Sequence, residues 1–331
     1  MELALTPNNS ELVKHDEILN GFSKLIKMVT DGLDSQHSRR AYEKSLEDFM
    51  SWYIEQGAPE LRKATIQEYK KHLQDLNLAN ATINQRLSAV RKFVQEAGDN
   101  QLIDEQRVNS IMRVKGIKRK GIRSGNWITA EEAEELINAP DETTLRGKRD
   151  RAILAVFLYG WLRRAELANL TMEHIQQREG RWAIVDMVGK GDKPRTFALS
   201  PIVKMLIDEW TQAAGITEGR IFRAIDLNDQ LTGEREVRKG YYSDGYITDQ
   251  AIADIVKKYG KKCGMPKLAA HDLRRTGARL AYDAGATVEQ IQLQLGHSDP
   301  KTTHNYLNLS LNLHDAPGDK IKLKIRMSES V

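Results

Sequence analysis

The chain has 331 residues, enough for two domains of ordinary size, each with its own core. Hydrophobic residues make up 40% and charged residues 29%, which excludes a disordered or membrane-embedded chain, and no apolar run reaches the roughly 18–20 residues a bilayer requires. The net charge of +4 is too small to name a partner, and the single cysteine, Cys263, leaves neither an intramolecular disulfide nor a multi-cysteine metal site.

The N-terminal Met1–Thr6 stretch lacks a basic signal-peptide pattern, so a cytoplasmic address is expected. Residues 1–30 read as a polar extension with one short amphipathic piece, Ile18–Ile26. Ser38 is then placed to cap a helix with Tyr42, Leu46, Phe49, Met50 and Tyr53 on one face, and Gly57-Ala58-Pro59 ends it. Ile66, Tyr69, Leu73 and Leu76 mark a second helix. Ile83, Leu87, Val90 and Phe93 mark a third, ending at Gly98. Residues 31–112 are thus expected to form an all-helical bundle. Its basic residues Arg39, Arg40, Arg86, Arg91 and Lys92 are expected on the surface, where they suit a nucleic-acid backbone or an ordinary solvated face.

Residues 113–126 form a basic linker. Arg113, Lys115, Lys118, Arg119, Lys120 and Arg123 occur there without an acid, and such a run can follow phosphates. Thr129-Ala130-Glu131-Glu132 reads as a capping box that opens a second domain, residues 127–308. A long apolar helix is expected over Ala152–Tyr159. A β-hairpin follows: Trp182–Val185, a Gly189–Lys193 turn, then Arg195–Leu199. Helices are expected over Val203–Ala213, Asp249–Cys263 and Asp272–Ala284, with a polar loop over Asp226–Tyr246.

The chemistry concentrates near the end of this domain. His271-Asp272-Leu273-Arg274 is followed by Leu295-Gly296-His297 and then by Tyr306. A phosphodiester repels nucleophiles, and its transition state spreads negative charge over equatorial oxygens, so fixed guanidiniums are the best side chains to meet it. Arg163 and Arg274 are the candidates. A phenol with a pKa near 10 needs a proton acceptor, a task for His271, while His297 can bind a phosphate oxygen or share the proton work. A departing sugar oxygen needs a proton. Lys190 at the hairpin tip is placed to give it, with Lys193 the alternative. Gly189-Lys190-Gly191-Asp192-Lys193 lacks the spacing of a nucleotide-binding loop.

This ordered set resembles the tyrosine recombinase (phage integrase) family, whose pattern is Arg, Lys, His-x-x-Arg, His or Trp, then Tyr. Arg163 in Leu162-Arg163-Arg164-Ala165-Glu166-Leu167 matches the first box, Lys190 the hairpin lysine, and His271 with Arg274 the second box. His297 and Tyr306 match the last two positions, and the resemblance runs from about Asp34 to Leu309. One departure is that Trp161 stands where the family usually has glycine.

The resemblance implies a mainly α fold with a small β-hairpin or sheet: a helical core-binding bundle and a mixed α+β catalytic domain clamping duplex DNA. It implies metal-independent strand cleavage and exchange through a 3′-phosphotyrosyl enzyme and a Holliday junction, with no cofactor. The implied partners are double-stranded DNA recombination sites and a homotetramer on paired sites, in a cytoplasmic, nucleoid-associated setting. The need for accessory proteins stays open. The apolar tail, residues 309–331 with Leu309, Leu311 and Leu313, is expected to dock on a neighbouring protomer, the alternative being that it packs against its own domain. Alternatives are a type IB topoisomerase or telomere resolvase, or a DNA-binding relative without catalysis.

Overall fold

In a computed structural model, residues 13–34, 36–118, 127–189, 194–233, 235–238, 241–243 and 245–307 are described. The chain divides into two compact units, Met1–Ile122 and Arg123–Val331.

The first unit is helical: α1 Val13–Asp31, α2 Gln36–Glu55, α3 Lys63–Asp75, α4 Asn80–Asp99 and α5 Glu105–Met112. Residues three and four apart share a helix face, so Leu46, Phe49 and Tyr53 of α2 meet Ile66, Tyr69 and Leu73 of α3 in one core. Ile83, Leu87, Val90 and Phe93 of α4 complete it. Helix α1 belongs to this bundle. It buries Phe22, Leu25 and Val29, and Phe22 stacks on Phe93 at 5.3 Å, so the bundle takes in residues the sequence had set apart as an extension. Helix α2 starts before Ser38, which therefore does not cap it. Helix α5, too short to show a clear period, is capped by Asp104, whose side chain accepts from the Arg107 amide.

The basic residues of this unit are less free than expected. Arg86 is half-buried and pairs with Asp48 at 2.8 Å. Arg91 is half-buried too, and its guanidinium donates to the Val114 carbonyl beyond α5. Lys92 is half-buried. Arg39, Arg40 and Lys118 are exposed, the first donating to the Leu33 carbonyl. Arg119 and Lys120 lie outside the described residues.

The second unit begins with α6 Ala130–Asn138 and α7 Leu145–Ala155. The capping box predicted at Thr129 is present: its hydroxyl accepts from the Glu132 amide while Glu132 accepts from the Thr129 amide. The apolar run after Ala152 is not one α-helix. It turns at Ala155 into a π-turn, Val156–Gly160, which ends at Trp161 with a left-handed backbone (φ 53°). Such turns recur at functional sites because they displace the residues that follow. Then come α8 Arg164–Ala168 and strands β1 Ile175–Arg178, β2 Arg181–Val188 and β3 Pro194–Ala198 in one antiparallel sheet, ordered β1-β2-β3. Ile184 faces Ile175 on one side and Phe197 on the other. The hairpin was legible, whereas β1, with its two glutamines, was not.

Helix α9 Pro201–Ala214 packs Val203, Leu206, Ile207 and Trp210 into the unit's main core. The segment expected to be a loop contains a short antiparallel pair, β4 Arg235–Arg238 and β5 Tyr241–Ser243. Its polar composition hid the strands. Helices α10 Asp249–Lys262, α11 Ala270–Asp283, α12 Val288–Leu295 and α13 Pro300–Leu307 complete a mainly helical fold with a small sheet. Among the described residues no helix is long and apolar enough to cross a membrane.

Candidate active site

Helix α11 is held at its start by Asp272, whose carboxylate accepts from the Ala269 amide. Ala270, Leu273, Gly277 and Ala278 bury its inner face. His271 lies in its first turn, with Arg274 three and Arg275 four residues on, so all three point to one side. Gly277 has no room for a side chain: a Cβ there would lie 1.9 Å from the Leu158 carbonyl oxygen. That close approach seats α11 on the π-turn.

Arg274 is 2% exposed. It donates to the Trp161 carbonyl and, at 2.6 Å, to the Leu295 carbonyl, and it lies 3.7 Å from Glu166. Burial pulls its pKa down to about 10, so it stays cationic at neutral pH. Two carbonyls from distant segments therefore aim one guanidinium.

Arg163 immediately precedes α8. Its amide donates to Glu166 Oε2 at 2.7 Å and its Nη1 to Oε1 at 2.7 Å. Glu166 is 5% exposed and also accepts from Arg195 of β3 at 2.7 Å. Burial works to raise its pKa, but the Arg163 amide and the Arg195 and Arg163 guanidiniums outweigh it and hold the carboxyl below the usual range. Arg195 Nη1 reaches the Leu295 carbonyl at 3.0 Å. Three arginines thus converge on one buried carboxylate.

Helix α12 is opened by the Thr287 hydroxyl and closed by Gly296 in the left-handed region (φ 65°). Glycine is also needed there because a Cβ would meet Arg195 Nη1 at 2.3 Å. This turn presents His297, whose Nδ1 is 3.0 Å from the Thr303 hydroxyl of α13. Desolvation, with Arg274 and Arg163 nearby, lowers the His297 pKa to about 4. His271 is exposed, yet partial desolvation and the Arg275 and Arg274 guanidiniums lower its pKa too. Both imidazoles are neutral at pH 7.

Tyr306 lies three residues after Thr303 on α13 and is 7% exposed. His271 meets its ring edge-on at a centroid distance of 5.4 Å, and His297 does so at 5.2 Å. Trp161, Ala278, Ile291, Leu295 and Leu307 pack around it. Its phenol oxygen is buried and faces the Arg274 guanidinium. Burial raises the phenol pKa above 10, against the pull of Arg274, Arg275 and Arg163.

Five of the six candidates, Arg163, His271, Arg274, His297 and Tyr306, therefore gather in one place. Lys190 and its alternative Lys193 lie outside the described residues. Sequence reasoning missed Arg195 and Arg275 as members of this cluster, and it named Glu166 only as part of the first box. Trp161 keeps the backbone turn expected of glycine. Its left-handed conformation is the one glycine adopts without strain, and the tryptophan carbonyl still receives Arg274.

The chain belongs to the phage integrase family, whose model matches residues 126–312. The model for the phage integrase N-terminal SAM-like domain matches residues 30–101. Among curated relatives, tyrosine recombinase XerC of Thermodesulfovibrio yellowstonii is 26% identical over 279 residues, 84% of this chain and 87% of that protein. Tyrosine recombinase XerD of Lacticaseibacillus casei is 26% identical over 276 residues, 82% of this chain and 87% of that protein.

Among solved structures, the XerH site-specific recombinase bound to palindromic difH substrate, a post-cleavage complex, aligns with a TM-score of 0.66 at 19% identity. The match covers 87% of this chain and 81% of that one. A lambda integrase dimer bound to a COC′ core site aligns with a TM-score of 0.62 at 16% identity, covering 93% and 99%. These likenesses establish the fold.

Proposed function

We propose that this chain is a site-specific DNA recombinase that cleaves and exchanges strands through a covalent tyrosyl intermediate. The Tyr306 oxygen attacks the scissile phosphorus and passes its proton to neutral His271. The phosphorus–O5′ bond breaks, leaving a 3′-phosphotyrosyl enzyme and, once Lys190 has donated a proton, a free 5′-hydroxyl. Arg163 and Arg274 hold the non-bridging oxygens, where negative charge grows, and His297 donates to one of them. Attack by a partner strand's 5′-hydroxyl reverses the step without an external energy source. Repeated on paired sites by four copies, it passes through a Holliday junction.

The observation that carries this reading is the Tyr306 phenol itself, buried with its ring edge-on to His271 and His297 and its oxygen within reach of the Arg274 guanidinium.

Helical bundle, basic linker and catalytic unit are proposed to close around duplex DNA, with Arg39, Arg40 and Lys118 as exposed phosphate contacts. The tail, residues 309–331, is proposed to dock on a neighbouring protomer. In support, a cavity of about 740 Å3 is lined by Leu158, Trp161, Ala281, Ile291 and Leu293, the last 75% exposed. Unchanged cooperative assembly on DNA after truncation before Leu309 would remove that part.

The test of the chemistry is covalent trapping on a suicide DNA substrate taken from sequence flanking the gene, with chelator present. The wild type is expected to give a protein–DNA adduct and Tyr306→Phe none, with DNA binding retained. An adduct that survives the substitution overturns the assignment of Tyr306. Binding without any adduct in the wild type favours a relative that only binds DNA.

A further inference from the structure

Arg275 fits no part of the sequence pattern, yet its guanidinium carbon lies 5.0 Å from the centroid of the Tyr306 ring. Its Nε is buried with no hydrogen-bond partner among the described residues. Its neighbour Arg274 is committed to the Trp161 and Leu295 carbonyls, and Arg163 to Glu166. A half-buried guanidinium without a matching acid is costly unless something else answers its charge. The electron-rich face of a tyrosine answers part of it, and a phenolate answers far more.

We propose that Arg275 is a positioning residue for the nucleophile: it holds the Tyr306 ring by its face and sets a positive charge over the ring in which the phenolate develops. The inference rests on the reading of Tyr306 as the nucleophile. Among the described residues, the charged and titratable groups facing that ring are His271, Arg274 and Arg275 from α11, His297 from the turn before α13, and Arg163 from the start of α8. Once a phosphodiester binds, its negative charge offsets Arg163 and Arg274. The histidines are neutral. Among the described residues, Arg275 is then the cation left to favour loss of the phenol proton to His271 as the oxygen–phosphorus bond forms and the phosphorus–O5′ bond breaks.

The test has an arm that needs no DNA. A ring-fluorinated tyrosine, which ionises nearer neutrality, is placed at position 306 of the full chain, and its fluorine resonance is followed against pH. Arg275→Met is expected to move the midpoint up by about one pH unit, and Arg275→Lys by less. A folded Arg275→Met protein that titrates with the wild type overturns the proposal. If that variant does not fold, Arg275→Gln and Arg275→Lys carry the comparison: a lower midpoint for lysine supports the proposal, and equal midpoints overturn it.

In the trapping assay, Arg275→Met is expected to slow adduct formation about tenfold at neutral pH, with DNA affinity unchanged. An unmoved titration with the adduct abolished by Tyr306→Phe overturns the proposal and spares the nucleophile. A shifted titration with an adduct that survives Tyr306→Phe overturns the nucleophile reading, and the role of Arg275 with it.

Discussion

Glu166 accepts a 2.7 Å hydrogen bond from Arg195, which reaches it from β3 on a segment 29 residues away. The same carboxylate receives the Arg163 amide and guanidinium, and Arg274 lies 3.7 Å off. Without it, three guanidiniums packed together would repel one another in a poorly hydrated space. The carboxylate is what lets them share one site.

Glu166→Gln keeps the shape and removes the charge. Breaking a buried ionic network in this way costs about 3 kcal/mol. Because the folded-state pKa of Glu166 is lowered, its contribution is fully present above the ordinary value of 4.5 and is lost as pH falls through the folded value. Urea unfolding at pH 7 is therefore expected to separate the two proteins, and their stabilities to converge on acidification below about 4.5. A constant gap at all pH values would show that the network does not depend on the carboxylate's charge.

His297 has the opposite charge type but the same direction of pH dependence. Its pKa falls from 6.5 to about 4 on folding, so between those values the unfolded chain takes up a proton that the folded chain refuses. Its contribution is intact above 6.5 and declines as pH drops towards 4. His297→Gln is expected to flatten that part of the stability profile relative to the wild type. Parallel unfolding curves from pH 7 to pH 4 would count against a desolvated neutral ring.

Trp161→Gly sets two effects of opposite sign against each other. Relief of a left-handed tryptophan is worth about 1–2 kcal/mol. Loss of an indole that packs with Leu295 and Tyr306 and donates to the Leu158 carbonyl at 2.9 Å costs more, about 3–5 kcal/mol by analogy with core truncations. The variant is expected to be less stable by about 2 kcal/mol in chemical denaturation. Equal or greater stability would mean that the side chain adds nothing to the packing that holds α13.

The sequence by itself determined α2, α3 and α4 of the first unit, the Thr129 capping box, the hairpin of β2 and β3, and the order of Arg163, His271, Arg274, His297 and Tyr306. Each is a local matter: a periodic apolar face, a cap closed over three residues, or residue types at short spacing. Short polar segments gave no such pattern, which is why α5, β1 and the β4–β5 pair were not legible. Only the tertiary structure decided which charges are buried together. Arg274 finds its carbonyl at Trp161, 113 residues away, and Arg195 finds one at Leu295, 100 residues away. An arginine in sequence looks the same whether water, Glu166 or a tyrosine ring will surround it. The free energy of a charge depends on that surrounding, and packing between distant segments supplies it.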